Sequence, residues 1–209
     1  MNLFLLSLGS LFSIINPLGT IPVFMQLTEG KTKQQILSIA LRTSLNVLII
    51  LLISFFAGKY ILSFFGISLN SVKIAGGLII ASSGFALLTG SFSRHKGLKK
   101  KVKDDALNRA DITLTPLAIP MLAGPGTISL LITYNEVYSV LTDRFLVISS
   151  VVAVSIVIFI LLNISRKITK IMGASGMNSL SRIIGFIVIS IGIEFILSKL
   201  LSIVSHLAG

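Results

Sequence analysis

Cysteine is absent from this 209-residue chain, which excludes disulfides and thiolate metal sites. Histidine occurs twice, at His95 and His206, both outside the long apolar runs, so no His-based metal site and no cofactor are expected. Charge is also scarce. Asp, Glu, Lys and Arg make up 12% of the residues, where a soluble domain carries roughly 25%. With 54% hydrophobic residues and a mean hydropathy of +0.98, the chain reads as an integral membrane protein with no room for a separate soluble domain. No charged region precedes the first apolar run, so the chain from Asn2 onward reads as a retained span and not a cleaved signal peptide. There is no H-E-x-x-H, and no His/Asp or Ser/His pair stands at the ends of the spans. The expectation is therefore that the protein is not an enzyme.

What is present is a series of six apolar segments, each near the ~20 residues that cross a bilayer as helix. They fall at about Leu3–Leu27, Ile39–Leu62, Val72–Gly90, Ile112–Tyr134, Phe145–Ile164 and Ile183–Val204. The net charge of +11 does not point to nucleic acid, because its basic residues sit in short loops between spans. Fourteen Lys and Arg lie on one side of the alternation: Lys31, Lys33 and Arg42; seven between Arg94 and Arg109; then Arg166, Lys167, Lys170 and Arg182. Only Lys59, Lys73, Arg144 and Lys199 lie on the other. The bias predicts cytoplasmic odd-numbered loops and both termini outside. The long polar loop Ser91–Asp111, with KGLKKKVKDD, reads as a topology-enforcing linker, and membrane lipid is the alternative partner for it.

Two spans are interrupted. The fourth, ITLTPLAIPMLAGPGTISL, carries Pro116, Pro120, Gly124, Pro125 and Gly126. Proline removes a helical N–H and clashes with the preceding turn. Glycine makes non-helical dihedrals cheap. The first span carries the related IINPLGTIPVF, with its interruption expected at Asn16–Pro22. In lipid an unwound backbone is tolerated only where protein or a water-filled cavity satisfies its polar groups. Each break is expected to restart a half-helix, near Thr20 and near Thr127, whose free N–H groups favour a negative ligand group. The half-helices ending near Ile15 and Leu122 offer carbonyls to a cation or an ammonium. A zwitterionic amino acid needs both. The candidate binding residues are Asn16, Pro17, Gly19, Thr20, Pro120, Gly124, Pro125, Gly126 and Thr127, none of them ionisable.

The two halves resemble each other. NPLGTI matches GPGTI with one residue deleted, and KIAGGLIIASSGFALL from Lys73 matches RIIGFIVISIGIEFIL from Arg182, all offset by 107 to 109 residues. The fold class expected is an all-α membrane protein in one transmembrane domain. Its six transmembrane helices form two inverted three-helix repeats, 1–90 and 112–209, joined by the cytoplasmic loop 91–111. The first and fourth helices are broken near the midplane. Three spans per repeat force the second copy to insert upside down, and inverted repeats with matched broken helices are the mark of a secondary transporter. Glu194 lies within the sixth span and is the candidate for ion coupling. Asn46 and Asn163 are expected to join helices, and the small residues from Ala75 to Gly84 to allow close packing.

The segments NPLGTIPVF and PLAIPMLAGPGTI, flanking a charged middle loop in a six-span chain of 209 residues, resemble the MarC family over nearly the whole length. That family comprises multi-pass inner-membrane proteins named after a multiple-antibiotic-resistance locus. It includes small neutral amino-acid transporters and is grouped with the lysine-exporter superfamily. The resemblance implies transport of glycine, alanine or similar residues, with export as one direction, in the cell inner membrane. The expected partners are a small neutral amino acid and membrane lipid, with no nucleic acid. Self-association into a homo-oligomer is left open. The alternative function is a non-transporting membrane scaffold or assembly factor.

Overall fold

The computed structural model describes residues 3–89 and 112–207. The Ser91–Asp111 loop and His95 therefore lie outside the described residues. Among those residues there is no strand; the chain is helical throughout, apart from short connections. Four helices are long and apolar enough to cross a membrane, and the number rises to six if each of two sharply bent pairs counts as one span.

The first bent pair is α1 (Leu3–Ile15) and α2 (Pro17–Leu27), which meet at 42°. One residue makes the corner. Asn16 takes the left-handed conformation, φ 46° and ψ 64°, which asparagine tolerates better than most residues. Pro17 follows at the first helical position, where its missing N–H has no helical partner to lose. The interruption is shorter than Asn16–Pro22, because α2 continues through Pro22.

The second bent pair is sharper, at 67°, and its first member is less regular. Residues Thr113–Leu122 form π-helical turns that are extended at Thr115 (φ −127°, ψ 121°) and Ile119 (φ −116°, ψ 127°). Each precedes a proline, whose ring pushes the previous residue out of the helical region. After Ala123 and Gly124, α5 (Pro125–Val137) restarts.

Between the pairs run α3 (Lys33–Phe64), opened by a reciprocal Thr32–Gln35 capping box, and α4 (Leu69–Leu88). The chain closes with α6 (Leu141–Asn163) and α7 (Ser165–Leu207). The last helix starts well before Ile183. It is bent at Gly173 (φ 62°, ψ 179°), and its membrane-length part is Ser175–Ser198.

The buried core draws on both bent pairs and on the helices between them, with Leu11, Ile15, Phe24, Phe55, Leu122 and Val151 fully covered. The outside is apolar too: Phe56, Phe145, Ile183 and Phe186 are exposed, as a lipid-facing surface requires. Asn46 Nδ2 donates to Thr113 Oγ1 at 3.1 Å, tying α3 to the π-helical segment in the way expected of it. Asn163 ends α6 on an exposed position.

The broadest helix pairing is α4 on α7, and glycine makes it possible. A Cβ at Gly77 would stand 2.7 Å from the Gly192 carbonyl oxygen, and one at Gly84 2.7 Å from that of Gly185. The backbones themselves touch, as small-residue faces permit in membranes.

Candidate functional site

A cavity of about 80 Å³ opens at the second break. Pro120, Met121, Leu122, Gly124, Pro125, Gly126 and Thr127 form one wall. Ile79, Ser83 and Leu87 of α4 and Ile14 of α1 form the other. Five of the nine candidate residues thus come together: Pro120, Gly124, Pro125, Gly126 and Thr127. The other four, Asn16, Pro17, Gly19 and Thr20, do not line this cavity. They lie at the corner of the first pair, where Asn16, Pro17 and Thr20 are buried. Glu194 is exposed on α7 and does not line it either.

The elements bring these groups together by antiparallel packing. Ile14 Cγ2 lies 3.5 Å from where a Cβ of Gly126 would be, and Ser10, one turn earlier on α1, neighbours Tyr134 on α5. So α1 descends along α5 towards its N-terminus. On the other flank Ser129 Oγ donates to the Val72 carbonyl at 3.1 Å, and Ile80 Cγ1 is 3.0 Å from the Gly126 Cβ position. Helix α4 therefore also runs antiparallel to α5. It extends past the N-terminus of α5, and Ser83 and Leu87 close the space beyond it.

The polar groups of the two breaks are used differently. At the first, Asn16 Oδ1 accepts the Gly19 N–H at 3.1 Å and the Thr20 hydroxyl reaches the Asn16 carbonyl at 3.4 Å. This N-terminus is capped from within. Asn16 Nδ2 is fully buried and has no partner among the described residues. At the second, Gly124 is the cap residue and has no side chain to offer. Pro125 has no N–H, and the first helical bond runs from Ile128 N–H to the Gly124 carbonyl at 3.1 Å. The N–H groups of Gly126 and Thr127 belong to the orphan donors that every helix start leaves. Thr127 is 2% exposed and lines the cavity. The chemistry on offer is a set of donors at the positive end of a helix, in an otherwise apolar hollow. Among the described residues no charged side chain lines it.

Ser83, Ile79, Leu87 and Ile14 were not singled out by sequence for this site. The signal was available for α4: residues 79, 83 and 87 recur every fourth position and share one helix face.

A larger hollow, about 180 Å³, lies at the far ends of α3 and α5, lined by Lys59, Leu62, Ser63, Ile67 and Glu136. Its charged groups already pair with each other, Lys59 Nζ to Glu136 Oε1 at 2.9 Å. The smaller cavity is the better candidate because it opens on a helix N-terminus that no side chain caps. Among the described residues no group of three or more His, Cys, Asp or Glu is placed to hold a metal ion.

The description "MarC family integral membrane protein" matches residues 1–204. A UPF0056 membrane protein of Buchnera aphidicola subsp. Schizaphis graminum is 35% identical over 198 residues, covering 95% of this chain and 92% of that protein. The UPF0056 membrane protein MJ1677 of Methanocaldococcus jannaschii is 34% identical, covering 93% and 94%. The UPF0056 inner membrane protein MarC of Citrobacter koseri is 32% identical over 208 residues, covering 95% and 94%. No solved structure matches. Similarity that spans the whole chain, with an all-helical fold of membrane-crossing length, leads to one conclusion: this chain is a multi-pass integral membrane protein of the MarC family.

Proposed function

We propose that the protein is a secondary transporter of small neutral amino acids such as glycine and alanine, without enzymatic activity, working by alternating access in the cell inner membrane. The observation that carries this reading is the cavity at the second break. It joins an uncapped helix N-terminus, which attracts a carboxylate, to the end of a π-helical segment, whose last carbonyls attract an ammonium. The size calls for a small ligand. At about 30 Å³ per water, 80 Å³ holds roughly two to three waters, the space of a ligand of only a few heavy atoms.

An inverted repeat supports alternating access. Exchange α1 with the π-helical segment, α2 with α5, α3 with α6 and α4 with α7. The packing of α1 on α6 then becomes that of the π-helical segment on α3, and the packing of α2 on α7 becomes that of α5 on α4. The glycine contacts obey the same exchange: Gly77 with Gly192 becomes Gly185 with Gly84. Two structurally matched halves can rock about a site between them, and the charge bias gives their orientation.

Counterflow in proteoliposomes tests the reading. Vesicles holding purified protein and preloaded with unlabelled alanine should accumulate labelled alanine or glycine transiently above equilibrium, and Gly126→Leu vesicles should not. Wild-type vesicles that exchange no small amino acid would favour the scaffold alternative.

A further inference from the structure

Ser83 belongs to neither break, yet it is the only polar residue that α4 contributes to the cavity. Its hydroxyl proton is already committed, donated to the Ile79 carbonyl at 2.9 Å. A hydroxyl in that state presents only lone pairs to what lies beside it, so Ser83 is an acceptor here. On the opposite wall the Pro120 carbonyl oxygen lies 3.0 Å from where a Cβ of Gly124 would sit. It is a helix-terminal carbonyl, and a side chain at Gly124 would cover it. Ile80 stands opposite Gly126, and Ser83 is three residues further along α4, a rise of roughly 4.5 Å from Ile80 towards the start of α5. Donors, on Gly126 and the buried Thr127, and acceptors, on Ser83 and Pro120, therefore line the same hollow.

We propose that the Ser83 hydroxyl and the Pro120 carbonyl form an ammonium subsite. It orients a small zwitterion with its carboxylate on the α5 N-terminus and its amino group on α4. This rests on the amino-acid reading above and goes beyond it by naming the residue that tells an amino acid from a plain carboxylate. It also makes α4 a substrate-contacting helix. Closure of α4 onto α5 is then coupled to occupancy of both ends of the ligand.

The test is equilibrium binding of labelled alanine to purified wild type, Ser83→Ala and Ser83→Thr, each checked for a monodisperse elution profile, with propionate as a competitor that lacks the amino group. A lost hydrogen bond to a charged group corresponds to about tenfold or more in affinity. Ser83→Ala should therefore weaken alanine about tenfold, Ser83→Thr should stay within a few-fold of wild type, and propionate should compete equally weakly with all three. Unchanged alanine affinity in Ser83→Ala would overturn the subsite while leaving the transporter reading intact. So would an equal loss of alanine and propionate binding, because that marks a packing role. Wild type that binds neither alanine nor glycine would overturn both.

Discussion

Asn16 and Gly124 each stand immediately before a helical proline, and each begins a half-helix that runs on through Gly-Thr-Ile. The difference between them is why the proposed ligand site is at the second break and not the first. Asn16 spends its side-chain Oδ1 on the Gly19 N–H, whereas Gly124 has no side chain to spend. Thr127→Ala should therefore lower substrate affinity by roughly fivefold, the worth of about 1 kcal/mol for one neutral hydrogen bond. Thr20→Ala should cost less, since its hydroxyl already bonds within α2. Gly126→Leu should abolish transport while membrane insertion survives. Its first side-chain carbon would already press Ile80 at 3.0 Å, and the rest would occupy the cavity. Gly19→Leu should be milder, because Gly19 does not line that space. Binding titrations on the four purified variants check the order. Glu194→Gln should leave binding intact, since the carboxylate is exposed on α7; abolished binding in a folded variant would return Glu194 to the site. The Gly-Thr pairs were legible in the sequence. The asymmetry was not, because it depends on one left-handed dihedral at Asn16 and on which break α4 crosses.

Both bends were written in proline and glycine. The rule that a residue before proline leaves the helical region accounts for Thr115 and Ile119. Helix ends were less legible. The polar stretch before Ile183 reads as loop, yet α7 begins at Ser165, because that stretch folds as helix outside the membrane-length part, beyond the bend at Gly173. Register within the repeat also needed contacts. Aligning Lys73 with Arg182 sets Gly84 opposite no glycine, whereas the touching backbones relate Gly77 to Gly185 and Gly84 to Gly192, both offset by 108 residues. The α4–α7 pairing gives a prediction at this scale. Gly84→Leu would drive a side chain into the backbone at Ile189 N, 2.6 Å from its Cβ, and into the Gly185 carbonyl. Overpacking typically costs 1–3 kcal/mol, and here no side chain can swing aside to relieve it. Thermal unfolding in detergent should show a clear drop in midpoint. Gly9→Leu, where nothing lies within 4 Å of the new Cβ, serves as the control and should melt as wild type.

For the whole molecule, the charge bias predicts a cytoplasmic Ser91–Asp111 loop and both termini outside. Reporter fusions at His95 and Gly209 should report opposite sides; a shared side would undo the odd-span repeat. On the proposed transporter reading, the second break would serve as a pivot as well as a binding site. A transporter must expose such a pivot to each side of the membrane in turn, and a scaffold has no reason to. The chain has no cysteine, so Thr127→Cys creates a unique thiol on the cavity wall. In oriented vesicles, a membrane-impermeant maleimide applied to either face should label it, and saturating alanine should slow labelling from both. Labelling from one face at most, at a rate alanine does not change, would contradict alternating access at this site.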